Sequence, residues 1–264
     1  MNFELLEYAF FRNALAGVAL ISVACAVIGV YVVTRRMTFI AGGITHTCFG
    51  GLGLGYFLGW NPLATAAAFA VAGSLGVDAM SRGRVRQDSA IAVVWALGMA
   101  LGILFVFLTP GYVPELNSFL FGNVLNITST DLWVFAAFSL LAVALYAAFG
   151  RVIMAVSFDE DFARTRHLPV RLINTVMMVM VSVCIVLTIK MIGVMLLISL
   201  ISLPQLVAER LTRSYRRMML ISGIVSLAGC LGGLWISVLI DVPASAVIVI
   251  LLTAFYALSH LKKY

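Results

Sequence analysis

The segment from Arg35 to Gly59, RRMTFIAGGITHTCFGGLGLGYFLG, holds the chain's only histidine set deep in apolar sequence, His46. A neutral imidazole can ligate a transition metal and can exchange a proton near neutral pH, so metal or proton chemistry is what this residue brings. In a helix Gly42, His46 and Gly50 share one stripe at i, i+4 spacing, so residues without side chains flank the ring and space is kept free around it. Gly51, Gly55 and Gly59 repeat the spacing and make a flat ridge for close packing of a second helix. In a soluble core such a histidine is usually a satisfied packing residue. In a membrane, ionisable groups are costly and mark ion or substrate pathways. On the residues alone, a pathway role and a structural hydrogen bond stand as equal readings of His46.

The membrane setting follows from composition. The 264 residues are 63% hydrophobic and only 11% charged, which an ordinary water-soluble globule cannot accommodate. The chain reads as an all-α, polytopic integral membrane protein. Its formal charge of +6 is distributed as punctuation between apolar runs, with no contiguous basic patch, so nucleic acid is excluded as a partner and membrane lipid expected. Cys25, Cys48, Cys184 and Cys230 sit singly in apolar runs and read as packing residues. The start, MNFELLEYAFFRNALAG, is acidic and aromatic, which suits a short interfacial helix before the first span and does not resemble a cleavable signal.

Apolar runs of about 20 residues, enough for a ~30 Å hydrocarbon layer, predict spans near Asn13–Thr34, Thr38–Gly59, Leu63–Ser81, Ser89–Leu108, Leu132–Gly150, Leu172–Ile189, Met191–Ala208, Met218–Ile240 and Ala244–Leu261. That is about nine transmembrane helices in a single domain over residues 1–264, one bundle per protomer. Basic residues gather at Arg35–Arg36, Arg82–Arg86, Arg151–Arg171, Arg210–Arg217 and Lys262–Lys263, all on one side in this arrangement. The positive-inside rule makes that side cytoplasmic, with the N-terminus outside and the C-terminus inside.

The longest cytoplasmic connection, SFDEDFARTRHLPVR, places Asp159, Glu160 and Asp161 before Phe162 and Ala163, then Arg164 and Arg166. Acids first and bases last match a helix dipole, and Pro169 stops the helix, which is expected near residues 157–168. Phe162 in so polar a loop points to docking of a cytoplasmic partner. Elsewhere Lys190 is expected to snorkel to the external interface, Asp78 and Asp88 to be solvated partners of the nearby arginines with Asp88 able to cap the next helix, and Pro204 to kink its span. Met177, Met178, Met180, Met191 and Met195 read as apolar filler.

Several of these segments together carry a resemblance that covers nearly the whole chain. YVVTRRMTFIAGGITH, RVRQDSAIAVVWALG, FLFGNVL, FDEDFARTRHLPV and LISLISLPQLVAERL, in this order, resemble the permease subunits of the zinc, manganese and iron family of ABC importers. The resemblance implies a homodimeric core in the bacterial plasma (inner) membrane. This core would take a divalent metal from an extracytoplasmic binding protein and be driven by cytoplasmic ABC ATPase subunits. It implies that His46 lies on the metal's path with Gly42 and Gly50 packed beside it, and that Asp159, Phe162, Ala163 and Arg164 couple to the ATPase. The chain has no GxxxxGK[ST], so it is expected to be no enzyme, to hold no cofactor, and to leave ATP to its partner.

Two departures from the family pattern bear on the site. Many relatives have an aspartate where this chain has Gly42, and usually a glycine where it has His167. Without the carboxylate, imidazole chemistry leans to zinc over manganese or iron. The alternative class is a stand-alone secondary metal-ion transporter or intramembrane enzyme; it would want several buried acids, and the spans offer only His46.

Overall fold

The computed structural model describes residues 8–83, 85–110, 122 and 127–261. Among the described residues it has nine helices and no strands: α1 (Ala9–Thr34), α2 (Phe39–Leu58), α3 (Pro62–Ser81), α4 (Gln87–Leu108), α5 (Ser129–Phe158), α6 (Glu160–Thr165), α7 (Val170–Leu211), α8 (Tyr215–Ile240) and α9 (Ala244–Leu261). Seven of them, all but α2 and the short α6, are long and apolar enough to cross a membrane by length and composition. α2 is long enough, but its glycines, threonines and His46 dilute its hydropathy.

The expected all-α fold of about nine helices is what forms, with some boundaries moved. α7 contains both spans expected on either side of Lys190, and they join across a kink at Gly193 (φ 78°, ψ 175°). The break was expected at the charge; it falls where the backbone needs a conformation that glycine adopts readily. Pro204 lies inside the second segment, away from that break. α1 begins at Ala9, earlier than the expected Asn13. The interfacial helix expected at the N-terminus falls largely outside the described residues, as does FLFGNVL apart from Gly122.

The helices gather into two compact units. The first comprises Met1–Val33, Asn117–Gly150 and Thr188–Tyr264. Its core includes Val30, Val33, Ala208, Tyr215 and Met218. The fully buried Gln205 donates from Nε2 to the Cys25 carbonyl at 2.7 Å, which ties α7 to α1. Gly122 packs so closely on the α7 kink that a Cβ there would lie 2.2 Å from the Gly193 nitrogen. At the start of α5, Thr128 and Asp131 form a reciprocal cap: the Thr128 hydroxyl donates to Asp131 Oδ2 at 2.7 Å, and the Asp131 N–H donates back to Thr128 Oγ1 at 3.2 Å.

The second unit, Thr34–Leu116 and Arg151–Leu187, contains α2. Here α2 packs against α3 and α4. α3 starts where the sequence expects a turn: Asn61 Oδ1 accepts from Leu63 N at 3.0 Å and Ala64 N at 3.3 Å, with Pro62 at the first helical position. Gly59 ends α2 in the left-handed conformation (φ 67°).

Candidate metal pathway and coupling surface

The glycine ridge of α2 packs as its spacing predicts at Gly51 and Gly55, which face α3, while nothing lies within 4 Å of a Cβ at Gly59; α4 packs on another side of the helix. On one side a Cβ at Gly51 would lie 2.4 Å from the Thr65 carbonyl oxygen of α3. On another, a Cβ at Gly98 of α4 would lie 2.5 Å from Thr47 Cα. Backbones this close leave no room for side chains at the crossing. Gly50 shows where the expected free space goes: the Phe69 ring, 2.9 Å from its Cβ position, and the Gly98 carbonyl oxygen at 3.0 Å fill that side. Gly42, one turn before His46, is buried.

His46 stacks on two aromatic rings. The Trp95 ring of α4 stacks on the imidazole at 4.7 Å between centroids with 7° between planes, and Phe49 lies on it at 5.7 Å and 19°. The neighbouring polar groups satisfy themselves on their own helix. Thr45 donates to the Ala41 carbonyl at 2.5 Å, Thr47 to Gly43 at 2.8 Å and Cys48 to Ile44 at 3.1 Å. His46 Nδ1 does not: it is buried and has no hydrogen-bond partner among the described residues. An unpaired buried polar atom costs about 1–3 kcal/mol, so the structural hydrogen bond allowed by the sequence is not what holds this nitrogen. Among the described residues no group of three His, Cys, Asp or Glu is placed to hold a metal. α2 supplies two residues of that kind, His46 and Cys48, and the Cys48 thiol is buried and donates to the Ile44 carbonyl. Trp95 was not foreseen, because only the packing of α4 on α2 brings it to the ring.

The second region is α6. The expected helix over 157–168 is shorter, since α5 runs on to Phe158 and Asp159 then caps α6, its Oδ1 accepting from Phe162 N at 2.9 Å. Past its end His167 adopts φ 55°, a left-handed conformation that glycine takes without strain. Phe162 is 51% exposed with the Arg166 guanidinium 5.5 Å over its ring, and Ala163 is fully buried. So Asp159, Phe162, Ala163 and Arg164 do share one short helix with an outward aromatic.

What the sequence did not single out is Glu160. Its Oε1 accepts from Arg35 Nη2 at 2.5 Å and from Asn174 Nδ2 at 2.7 Å, and its Oε2 from Arg164 at 3.4 Å. Arg35 also donates from Nη1 to the Val156 carbonyl at 3.2 Å. Burial by itself would raise the Glu160 pKa, but the Asn174 hydrogen bond and the Arg35 and Arg164 charges outweigh it and hold the carboxyl below the usual range. The stability it contributes is therefore present above its ordinary pKa of about 4.3 and is lost only as pH falls through the lowered value. The signal available in sequence was an acidic run beside a basic pair; the partners, 125 and 14 residues away, were not legible.

The remaining polar residues resolve simply. Lys190, expected to snorkel, is half exposed and pairs with Asp131. Asp78 pairs with Arg82, as expected. Asp88 lies in the first turn of α4 and does not cap it; Arg86 is the N-cap residue and makes no side-chain cap. The four cysteines are buried and form no disulfide. Met177, Met178, Met180 and Met191 are core residues, while Met195 is half exposed.

An all-helical, multi-pass membrane protein with one polar, glycine-packed helix is what fold and site define. The comparisons agree over the whole chain: residues 7–263 match the ABC 3 transport family, and the protein belongs to it. It is 34% identical over 97% of its length to an uncharacterized membrane protein of Synechocystis, covering 92% of that chain. It is 28% identical, over 97% of its length and 88% of the relative's, to the manganese transport system membrane protein MntC of Halalkalibacterium halodurans. In structure it is similar to PsaBC from Streptococcus pneumoniae in complex with Fab, with a TM-score of 0.84 at 23% identity, covering 97% of this chain and 92% of that one.

Proposed function

We propose that the protein is the membrane permease subunit of an ATP-driven importer of a divalent metal cation. It works as a homodimer in the bacterial plasma membrane, with cytoplasmic ABC ATPase subunits and an extracytoplasmic metal-binding protein. The observation that carries this reading is His46: an unpaired, buried imidazole nitrogen on a glycine-packed helix, in a chain of the ABC 3 transport family. The nitrogen binds the cargo in its neutral form, and Trp95 and Phe49 fix the ring plane. On the other side of the division of labour, Asp159, Phe162, Ala163 and Arg164 form the surface on which an ATPase subunit docks, with Phe162 as its apolar contact. The positive-inside rule supports an external N-terminus and a cytoplasmic C-terminus. Large apolar side chains exposed on α4, α5 and α9 suit contact with lipid.

For the metal, two observations pull apart. A lone imidazole with Gly42 in place of a carboxylate supports zinc, whereas relatives named for manganese transport support manganese. The donor chemistry belongs to this chain's own residues, and zinc is the cargo we favour. The test is uptake by vesicles holding the protein with its ATPase subunits and binding protein. Uptake of radiolabelled zinc that requires ATP and resists competition by excess manganese supports both parts. ATP-dependent uptake with the reverse competition keeps the importer and changes its cargo, and uptake that runs without ATP favours the secondary transporter.

A further inference from the structure

The proposed docking surface and His46 lie on different helices, and the Glu160 side chain ties the first of these, α6, to Arg35 in the turn before α2. α6 is so short that its two faces are easily told apart. Glu160 and Phe162 are two residues apart, about 200° around the helix at 100° per residue, so one faces the protein as the other faces out. Outward, Phe162 is half exposed. Inward, the Glu160 carboxylate takes Arg35 and Asn174 on the same oxygen. The side chains of the Arg35–Glu160 pair are only 20% and 26% accessible, and Arg35 is fixed a second time by the Val156 carbonyl. Charge-assisted bonds of this geometry are short and directional, unlike an exposed pair.

Arg35 in turn begins the turn that leads into α2. That turn is tightly held: Met37 is 2% exposed, and its carbonyl accepts from Ile40 N at 2.8 Å. From Phe39, the first residue of α2, His46 is about 10 Å along the axis at 1.5 Å per residue. A displacement of α6 is thus passed through the ion pair to the base of the helix that carries the imidazole. Asp159, the neighbouring acid, has no such reach, since it caps its own helix.

We propose that Glu160 is a positioning residue that transmits movement of α6 to α2 through Arg35, and so couples ATP hydrolysis in the partner to movement of the metal past His46. This rests on the importer reading and adds the link within it. Glu160→Gln keeps shape and removes the charge. In the reconstituted complex it should still co-purify with the ATPase and hydrolyse ATP within twofold of the parent. Metal moved per ATP should fall by about 10-fold or more, the factor that loss of a charge-assisted hydrogen bond carries. The exchange Arg35→Glu with Glu160→Arg should restore most of that yield, which a residue that merely helps the loop to fold would not require. Parent yield per ATP in Glu160→Gln overturns the link, as does a joint loss of co-purification, hydrolysis and uptake, or an exchange that restores nothing. If the parent complex itself moves no metal with ATP, the importer reading fails and takes the link with it.

Discussion

His46 and Glu160 are both partly buried ionisable groups, and the protein treats them in opposite ways. Glu160 has a partner on each oxygen, drawn from the turn before α2, from α6 itself and from α7. His46 keeps Nδ1 unpaired and stacks on Trp95 and Phe49, while the threonines on either side of it bond to carbonyls of their own helix. A satisfied carboxylate is bought for fixed geometry. An unpaired imidazole nitrogen costs stability, and under the proposed function a transient metal ligand would offset that cost without a permanent bond to break. Under the same function, the contrast separates a mechanical region from a binding region within one compact unit.

The sharpest way to break the mechanical half is Phe162→Asp. A charge at the centre of the exposed apolar contact should abolish co-purification of the ATPase subunit while the permease itself stays folded in detergent. Unchanged co-purification would remove α6 as the docking surface. Next in size is the packing that holds the binding half. In Gly98→Val the new side chain starts 2.5 Å from Thr47 Cα, and overpacking of about 1–3 kcal/mol or more should lower the melting temperature in detergent by several degrees and weaken uptake with it. A parent melting temperature would mean that α2 and α4 are not in close contact. Gly42→Asp restores the carboxylate implied by the resemblance, one turn from His46. It should keep transport and shift competition a few-fold toward manganese, a harder cation. No change in the competition profile would place residue 42 off the path.

The smallest expected effect tests backbone alone. His167→Gly relieves a left-handed residue, worth about 1–2 kcal/mol, against the roughly 0.5–1 kcal/mol that glycine adds in unfolded-chain entropy. A gain of a degree or two in melting temperature, with unaltered uptake, is the outcome; a loss would show that the imidazole of His167 makes a contact that matters.

How much of this was legible beforehand follows from what sets each feature. Span positions were, because hydropathy over about 20 residues is a property of the local run. Even α2, diluted by glycine and His46, was readable as a helix from its apolar run, and the close packing of Gly51 and Gly55 from their spacing. The break in α7 was placed at Lys190 because charge is visible in sequence, whereas a backbone torsion at Gly193 is not. Trp95 and the Arg35–Glu160–Asn174 contact were invisible for a different reason. Each depends on which helices meet, and only packing decides that.

The central claim is that the unpaired nitrogen of His46 binds the cargo, and uptake across pH by His46→Ala beside the parent tests it most directly. Protonation removes the lone pair, so parent uptake should fall as pH drops through the titration of the imidazole, ordinarily near 6.5, while Glu160, held ionised by its partners, stays constant over the same range. His46→Ala should assemble with its ATPase yet lose more than about 100-fold in uptake at neutral pH, since even outer-shell changes at metal sites commonly cost 10–100-fold. Parent uptake with the parent pH profile in His46→Ala would contradict the account and return His46 to a packing role.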